Sequence, residues 1–181
     1  SAASDVYKRQ LFCGPGGLAL GATTAKIEDS DYKIIHKWAN DYDKDTCNTY
    51  TRNICPDDGD SVICGDVRKL DIDSLGDIDA LAFGFPCNDF SVVGEQKGFD
   101  GVYGPLYTYG VKVLKKYKPL WFLAENVGGL KNANDGKAFS MILGAMKEAG
   151  YKLYPNLYKF ETYGIPQACL LYTSDAADAL I

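Results

Sequence analysis

A short apolar run, Asp79-Ala80-Leu81-Ala82-Phe83, stops on Gly84-Phe85-Pro86-Cys87, and the same strand-then-break pattern recurs along the chain. Leu11-Phe12-Cys13 stops on Gly14-Pro15-Gly16-Gly17, and Tyr32–Ala39 on Asn40-Asp41. Val62-Ile63-Cys64 stops on Gly65-Asp66-Val67, and Pro119–Ala124 runs into Glu125-Asn126-Val127. Helical patterns lie between them at Leu18–Ile27, Tyr42–Tyr50, Leu106–Tyr117 and Phe139–Ala149, and a further strand follows at Tyr151–Phe160. Strands alternating with helices specify an α/β fold. In such sheets ligands bind beyond the carboxyl ends of the strands, where these breaks fall.

Composition narrows the class. The 181 residues make one domain's worth of chain, and no apolar run approaches the roughly 20 residues needed to cross a bilayer. The six cysteines form no Cys-x-x-Cys pair, and His36 is the only histidine. That disfavours a zinc site and fits a reduced, cytoplasmic setting. A net charge of -5 argues against a broad basic nucleic-acid footprint within this stretch.

The breaks carry the candidate chemistry. Cys87 sits on a strand exit, where dipoles and charges can lower a thiol pKa and make a nucleophile; a small buried side chain is the equal alternative. The glycine turn lets a ligand approach backbone N–H groups at a helix start. It lacks the full G-x-G-x-x-G fingerprint, and an ordinary tight turn has the same form. Asp41, about 25 residues on, suits ribose hydroxyls or the N-cap of the following helix. Asp66 can accept from an exocyclic amine such as that of adenine, beside an apolar contact from Val67. His36 reads as a packed or surface residue. Asp71, Asp73, Asp77 and Asp79 read as solvated charges, so no metal site is expected. Val92–Pro105, with glycines at 94, 98, 101 and 104, reads as a lid. Glu125, at the mouth of an apolar strand, should have a raised pKa.

Both ends look foreign to the rest. Ser4–Gln10 can be written as TCA GAT GTG TAT AAG AGA CAG, and the reverse complement, entered at its second base, translates as Cys169 to Asp175. This is the signature of a transposon-type sequencing adapter, so residues 1–10 and 169–181 are set aside as non-native ends. Residues 11–168 remain as a partial catalytic domain.

The chain resembles the cytosine-C5 DNA methyltransferases. The blocks that carry the likeness are Phe12–Gly17, Asn40-Asp41, Gly65-Asp66-Val67, Gly84–Ser91 with Gln96-Lys97-Gly98-Phe99, Glu125-Asn126-Val127, and Tyr163–Gln167. The resemblance implies a truncated class I S-adenosylmethionine-dependent methyltransferase sheet, Rossmann-like, with helices on both faces. It places S-adenosyl-L-methionine over Phe12, Gly14, Gly16, Asp41, Tyr42, Asp66, Val67, Pro86 and Leu106, with the Tyr42 ring on adenine. It makes Cys87 the nucleophile that adds to carbon 6 of a cytosine flipped out of double-stranded DNA, and Glu125 the acid holding a proton toward ring nitrogen 3. It also implies a prokaryotic or phage enzyme of the restriction-modification kind, paired in function with a restriction endonuclease and with no membrane partner.

Three departures stand beside the resemblance. Asn88 replaces the commoner glutamine. The Arg-x-Arg pair expected after Gln167 is replaced by Cys169-Leu170-Leu171, and the target-recognition region and returning C-terminal helix are absent. Tyr7-Lys8-Arg9-Gln10 stands where an apolar central strand is expected. The intact protein is therefore expected to methylate DNA, and this 181-residue chain is not. Rival readings are a transfer-RNA methyltransferase of the same family, a nucleotide-binding oxidoreductase, and a module that binds S-adenosylmethionine without turnover.

Overall fold

The computed structural model describes residues 5–26, 31–86, 106–166 and 170–176. They belong to two compact units, Ser1–Gly84 with Tyr117–Pro119, and Phe85–Lys116 with Leu120–Ile181.

The first unit contains β1 (Asp5–Leu11), α1 (Gly17–Thr24), β2 (Lys33–Asp41), α2 (Lys44–Ile54), β3 (Val62–Cys64) and β4 (Ala80–Gly84). The strands are parallel, in the order β3-β2-β1-β4. Ala80 to Phe83 are essentially inaccessible, as expected for an uncharged strand covered on both faces. Ala19 of α1, Ala39 of β2 and Tyr50 of α2 share one buried cluster with Cys13 and Cys55. Tyr50 is held further by His36, whose Nδ1 lies 3.2 Å from the phenol oxygen, while its Nε2 lies 2.8 Å from Ser61 Oγ. His36 is thus a packed residue. Burial, with the Lys8 charge adding to it, pushes the ring down to about 4.

Helix α2 starts at Lys44 because Asp43 caps it, accepting the Thr46 N–H at 2.7 Å. Asp41 is not its cap, and the helix outruns the expected Tyr50 to reach Ile54. Helix α1 is shorter than expected, ending at Thr24.

The residues set aside as adapter-like nonetheless form strands. β1 lies between β2 and β4, with Lys8, Arg9 and Gln10 buried. Strand pairing uses backbone groups, which every sequence supplies, so the mismatch is borne by side chains. Lys8 Nζ donates to Gln10 Oε1 at 2.8 Å, and Gln10 Nε2 reaches the Cys13 carbonyl at 3.4 Å. Arg9 Nε has no hydrogen-bond partner. Burial pushes the Lys8 ammonium down to about 8. A charged strand in this place is costly.

The second unit contains most of α3 (Tyr107–Tyr117), then β5 (Trp121–Val127), α4 (Lys137–Glu148), β6 (Tyr154–Lys159) and β7 (Leu170–Ala176). Its strands are antiparallel, with β7 between β5 and β6. Strand β5 continues past the expected end at Ala124, so Glu125, Asn126 and Val127 are strand residues. Phe122 of β5 meets Tyr151 edge-on at 5.0 Å between ring centroids. Val111, Val113 and Leu114 of α3 and Ala138, Ile142 and Met146 of α4 are buried. Among the described residues no helix is long and apolar enough to cross a membrane.

Candidate active site

In the first unit the expected cofactor contacts gather at the carboxyl ends of β1, β2 and β3. Leaving β1, the chain turns sharply, with positive φ at Phe12 (52°), Gly14 (56°) and Gly16 (106°). The glycines differ in purpose. A Cβ on Gly16 would lie 2.9 Å from Ile54 Cγ1, so this position must be bare for the turn to seat against α2. A Cβ on Gly14 would meet nothing within 4 Å, and this is the side open to a ligand. Phe12 adopts the left-handed conformation without being glycine, a strained backbone of the kind that collects at ligand sites.

Asp41 is tied directly to that turn. Its Oδ2 accepts the Gly14 N–H at 2.9 Å and its Oδ1 the Asp43 N–H at 3.1 Å. One acceptor position is left on each oxygen, which fits a pair of ribose hydroxyls. Tyr42 follows with its ring 78% exposed, free to stack on a planar group. Asn40 orders the neighbouring loop, its Nδ2 donating to the carbonyls of Ile63 (2.8 Å) and Gly65 (2.9 Å). Sequence reasoning assigned Asn40 no function of its own; its signal was a polar residue at the end of an apolar strand.

Asp66 and Val67 stand differently from the simplest expectation. Asp66 caps the short helix Val67–Lys69 by accepting the Arg68 N–H at 2.9 Å. Arg68 Nε lies 2.9 Å from both carboxylate oxygens, and its terminal nitrogen is 2.6 Å from Oδ2. These Arg68 hydrogen bonds hold the Asp66 carboxyl below its ordinary range. Val67 is 4% exposed, so most of its side chain packs inside the protein. Arg68 was not anticipated; its signal was a base two residues beyond a candidate acid.

The second unit holds Pro86, Leu106 and Glu125. Pro86 is exposed, and Leu106 is half-buried where α3 begins. Cys87, the expected lid and Gln167 lie outside the described residues. Glu125 lines a cavity of about 20 Å³, room for about one water, whose other walls include Phe85, Leu130, Phe139, Ile142 and Met146. Burial among these apolar groups raises the carboxyl pKa, as expected from its place on β5. The neighbouring Asn126 is buried, donating from Nδ2 to the Phe85 carbonyl at 2.7 Å while its Oδ1 accepts the Val127 N–H at 2.9 Å. Phe85 precedes Pro86-Cys87, so Asn126 couples the Glu125 strand to the approach to Cys87. Sequence reasoning quoted Asn126 within a motif and gave it no task.

Among the described residues, no group of three or more His, Cys, Asp or Glu side chains could hold a metal ion.

The model of the C-5 cytosine-specific DNA methylase family matches residues 8–168. The chain is 60% identical to the Type II methyltransferase M.BbvI of Brevibacillus brevis, over 88% of this chain and 46% of that relative. It is 36% identical to the Type II methyltransferase M.NgoFVII of Neisseria gonorrhoeae, over 87% of this chain and 40% of that one. Thus it spans about half the length of the curated relatives it matches. The crystal structure of a DNA modification methyltransferase encoded in an E. coli prophage superposes with a TM-score of 0.73 at 24% identity, over 96% of this chain and 47% of that one. A mutant DNMT2 from Spodoptera frugiperda superposes with a TM-score of 0.76 at 18% identity, over 97% and 51%. The latter two likenesses establish the α/β methyltransferase fold.

Proposed function

The chain belongs to the C-5 cytosine-specific DNA methylase family, and from that premise we propose that the protein it comes from methylates carbon 5 of cytosine in double-stranded DNA. Cys87 is the nucleophile and Glu125 the acid. The observation that carries this reading is Glu125 itself. It is the carboxyl group of a pocket whose other lining residues, Asn126 apart, are apolar, its pKa is raised by burial, and Asn126 ties its strand to Phe85, two residues before Cys87. A carboxyl whose protonated form is favoured by burial can hold a proton on a ring nitrogen while negative charge develops in the ring.

The first unit fits S-adenosyl-L-methionine through Asp41 with its two remaining acceptor positions, the exposed Tyr42 ring, and the open side of Gly14. Phe12, Gly16, Asp66, Val67, Pro86 and Leu106 complete the proposed contacts. When bound, the cofactor supplies the methyl group from its sulfonium. The chain's own work is to deliver a thiolate to carbon 6 of a flipped cytosine and to keep a proton at ring nitrogen 3 until the thiolate leaves. In this reading residues 11–168 are native and both ends are adapter-encoded, and the intact protein is the modification half of a bacterial or phage restriction-modification pair working in the cytoplasm. Similarity to Type II enzymes favours DNA over transfer RNA as substrate.

Tritium transfer from labelled S-adenosylmethionine to cytosine in duplex DNA tests the proposal. The intact gene product should incorporate label at carbon 5, and its Cys87→Ser variant should not. The 181-residue chain should not turn over; incorporation by the Cys87→Ser variant would contradict the mechanism.

A further inference from the structure

Two cysteines flank the Asp41–Tyr42 turn, and the proposed reaction uses neither. Cys47 lies in the first turn of α2, buried, its thiol donating to the Asp41 carbonyl at 3.6 Å. Cys64 ends β3, exposed, its thiol donating to the Tyr42 carbonyl at 3.9 Å. The parallel register sets Cys64 beside Asp41. The Asp41 carbonyl that accepts from Cys47 also accepts the Gly65 N–H at 2.8 Å, one residue beyond Cys64, and both thiols are free.

We infer that Cys47 and Cys64 are a dithiol that closes reversibly to a disulfide, tying the first turn of α2 to the end of β3 across the Asp41–Tyr42 turn. The exposure difference sets the order of events. A peroxide meets Cys64 first: the thiolate sulfur attacks the O–O bond, forming a sulfenic acid and releasing hydroxide, which becomes water on taking a proton. Cys47, its thiol pushed up to about 12 chiefly by burial and then by Cys64, is a poor target for the oxidant itself. It is instead the resolving thiol. Its sulfur bonds to the Cys64 sulfur, the hydroxyl leaves, and the Cys47 proton departs with it as a second water. Two thiols have then lost two electrons and two protons, and the peroxide has become two waters.

Closure removes both S–H donors from the Asp41 and Tyr42 carbonyls. If those residues hold adenosine as proposed above, oxidation should weaken cofactor binding; this consequence rests on that proposal, and the disulfide does not.

The test treats the 181-residue chain with equimolar hydrogen peroxide, followed by tryptic mapping without reductant. Peptides Asp45–Arg52 and Asn53–Arg68 should appear joined, lighter by two hydrogens, and should separate with dithiothreitol. Because Cys55 shares the second peptide, the link must persist in Cys55→Ser and vanish in Cys64→Ser. Over-oxidation of Cys64 without a link, or a link that survives Cys64→Ser, overturns the inference. Calorimetric titration with S-adenosylhomocysteine separates the two claims. Oxidised chain should bind at least tenfold more weakly than reduced chain, with no such loss in Cys64→Ser. A mapped link with unchanged binding overturns the coupling to the cofactor site. A mapped link in an intact gene product that never binds S-adenosylhomocysteine counts against the proposed function and leaves the thiol pair standing.

Discussion

The side-chain amide of Asn126 donates to the backbone carbonyl of Phe85 at 2.7 Å, and both residues are buried. This one bond joins the strand bearing Glu125 to the segment leading into Cys87. Asn126→Ala should remove this buried bond, costing about 0.5–1.5 kcal/mol of stability. In the intact protein it should also slow covalent attack by up to roughly 100-fold, the scale expected for misplacing a reacting group by about 1 Å. The KM for S-adenosylmethionine should stay near wild type. Thermal unfolding and single-turnover adduct formation read the two effects separately.

Burial raises the Glu125 pKa, so its protonated form persists to higher pH than an ordinary glutamate allows. Adduct formation should therefore fall as pH rises through that raised value. Glu125→Gln should lack this limb of the pH profile, because an amide cannot lose the proton. An identical limb in the variant would assign it to another group.

Arg68 competes for the carboxylate that the proposal assigns to adenine. Arg68 supplies donors to both oxygens of Asp66, and the pair is partly exposed. Arg68→Ala should tighten S-adenosylhomocysteine binding by about two- to fivefold, the yield of releasing a surface ion pair of up to about 1 kcal/mol. Asp66→Ala should weaken it. Titration calorimetry on both variants checks the opposite signs.

Lys8 is the clearest stability liability. Its folded pKa, lowered to about 8 by burial, means the folded state disfavours the ammonium. The unfolded chain keeps the ordinary value, so stability should rise as pH increases from about 8 toward 10 and be lowest below that window, by about 3 kcal/mol at 1.36 kcal/mol per pKa unit. Lys8→Met should raise the denaturation midpoint at pH 7 and flatten the pH dependence. Urea unfolding at pH 7 and pH 10 checks it.

Much of this architecture was legible in residue order, and the exceptions have physical causes. The uncharged run at 80–83 gave β4, and the glycine turn with Asp41 behind it located the open side of Gly14. The sequence offered Asp41 for the cap of α2 or for ribose; the cap is Asp43, the same residue type two positions on, and Asp41 is left to the turn. Gly16 read as room for a ligand, and its smallness also serves packing against Ile54, a partner 38 residues away that no local pattern reports. The end of β1 was read at Leu11, but its charged stretch and β7 escaped because backbone pairing is indifferent to side chains. The bond from Asn126 to Phe85 spans 41 residues, and no local pattern reports it.

The central claim is that Cys87 attacks cytosine with Glu125 as the acid. The most direct measurement incubates the intact gene product with S-adenosylmethionine and a duplex carrying 5-fluorocytosine at the target base, then counts the denaturant-stable protein–DNA complex. The account predicts a covalent complex whose peptide maps to Cys87, absent in Cys87→Ser and much slower in Glu125→Gln. A complex formed through a different residue, or turnover of ordinary cytosine with no trapped complex, would contradict it.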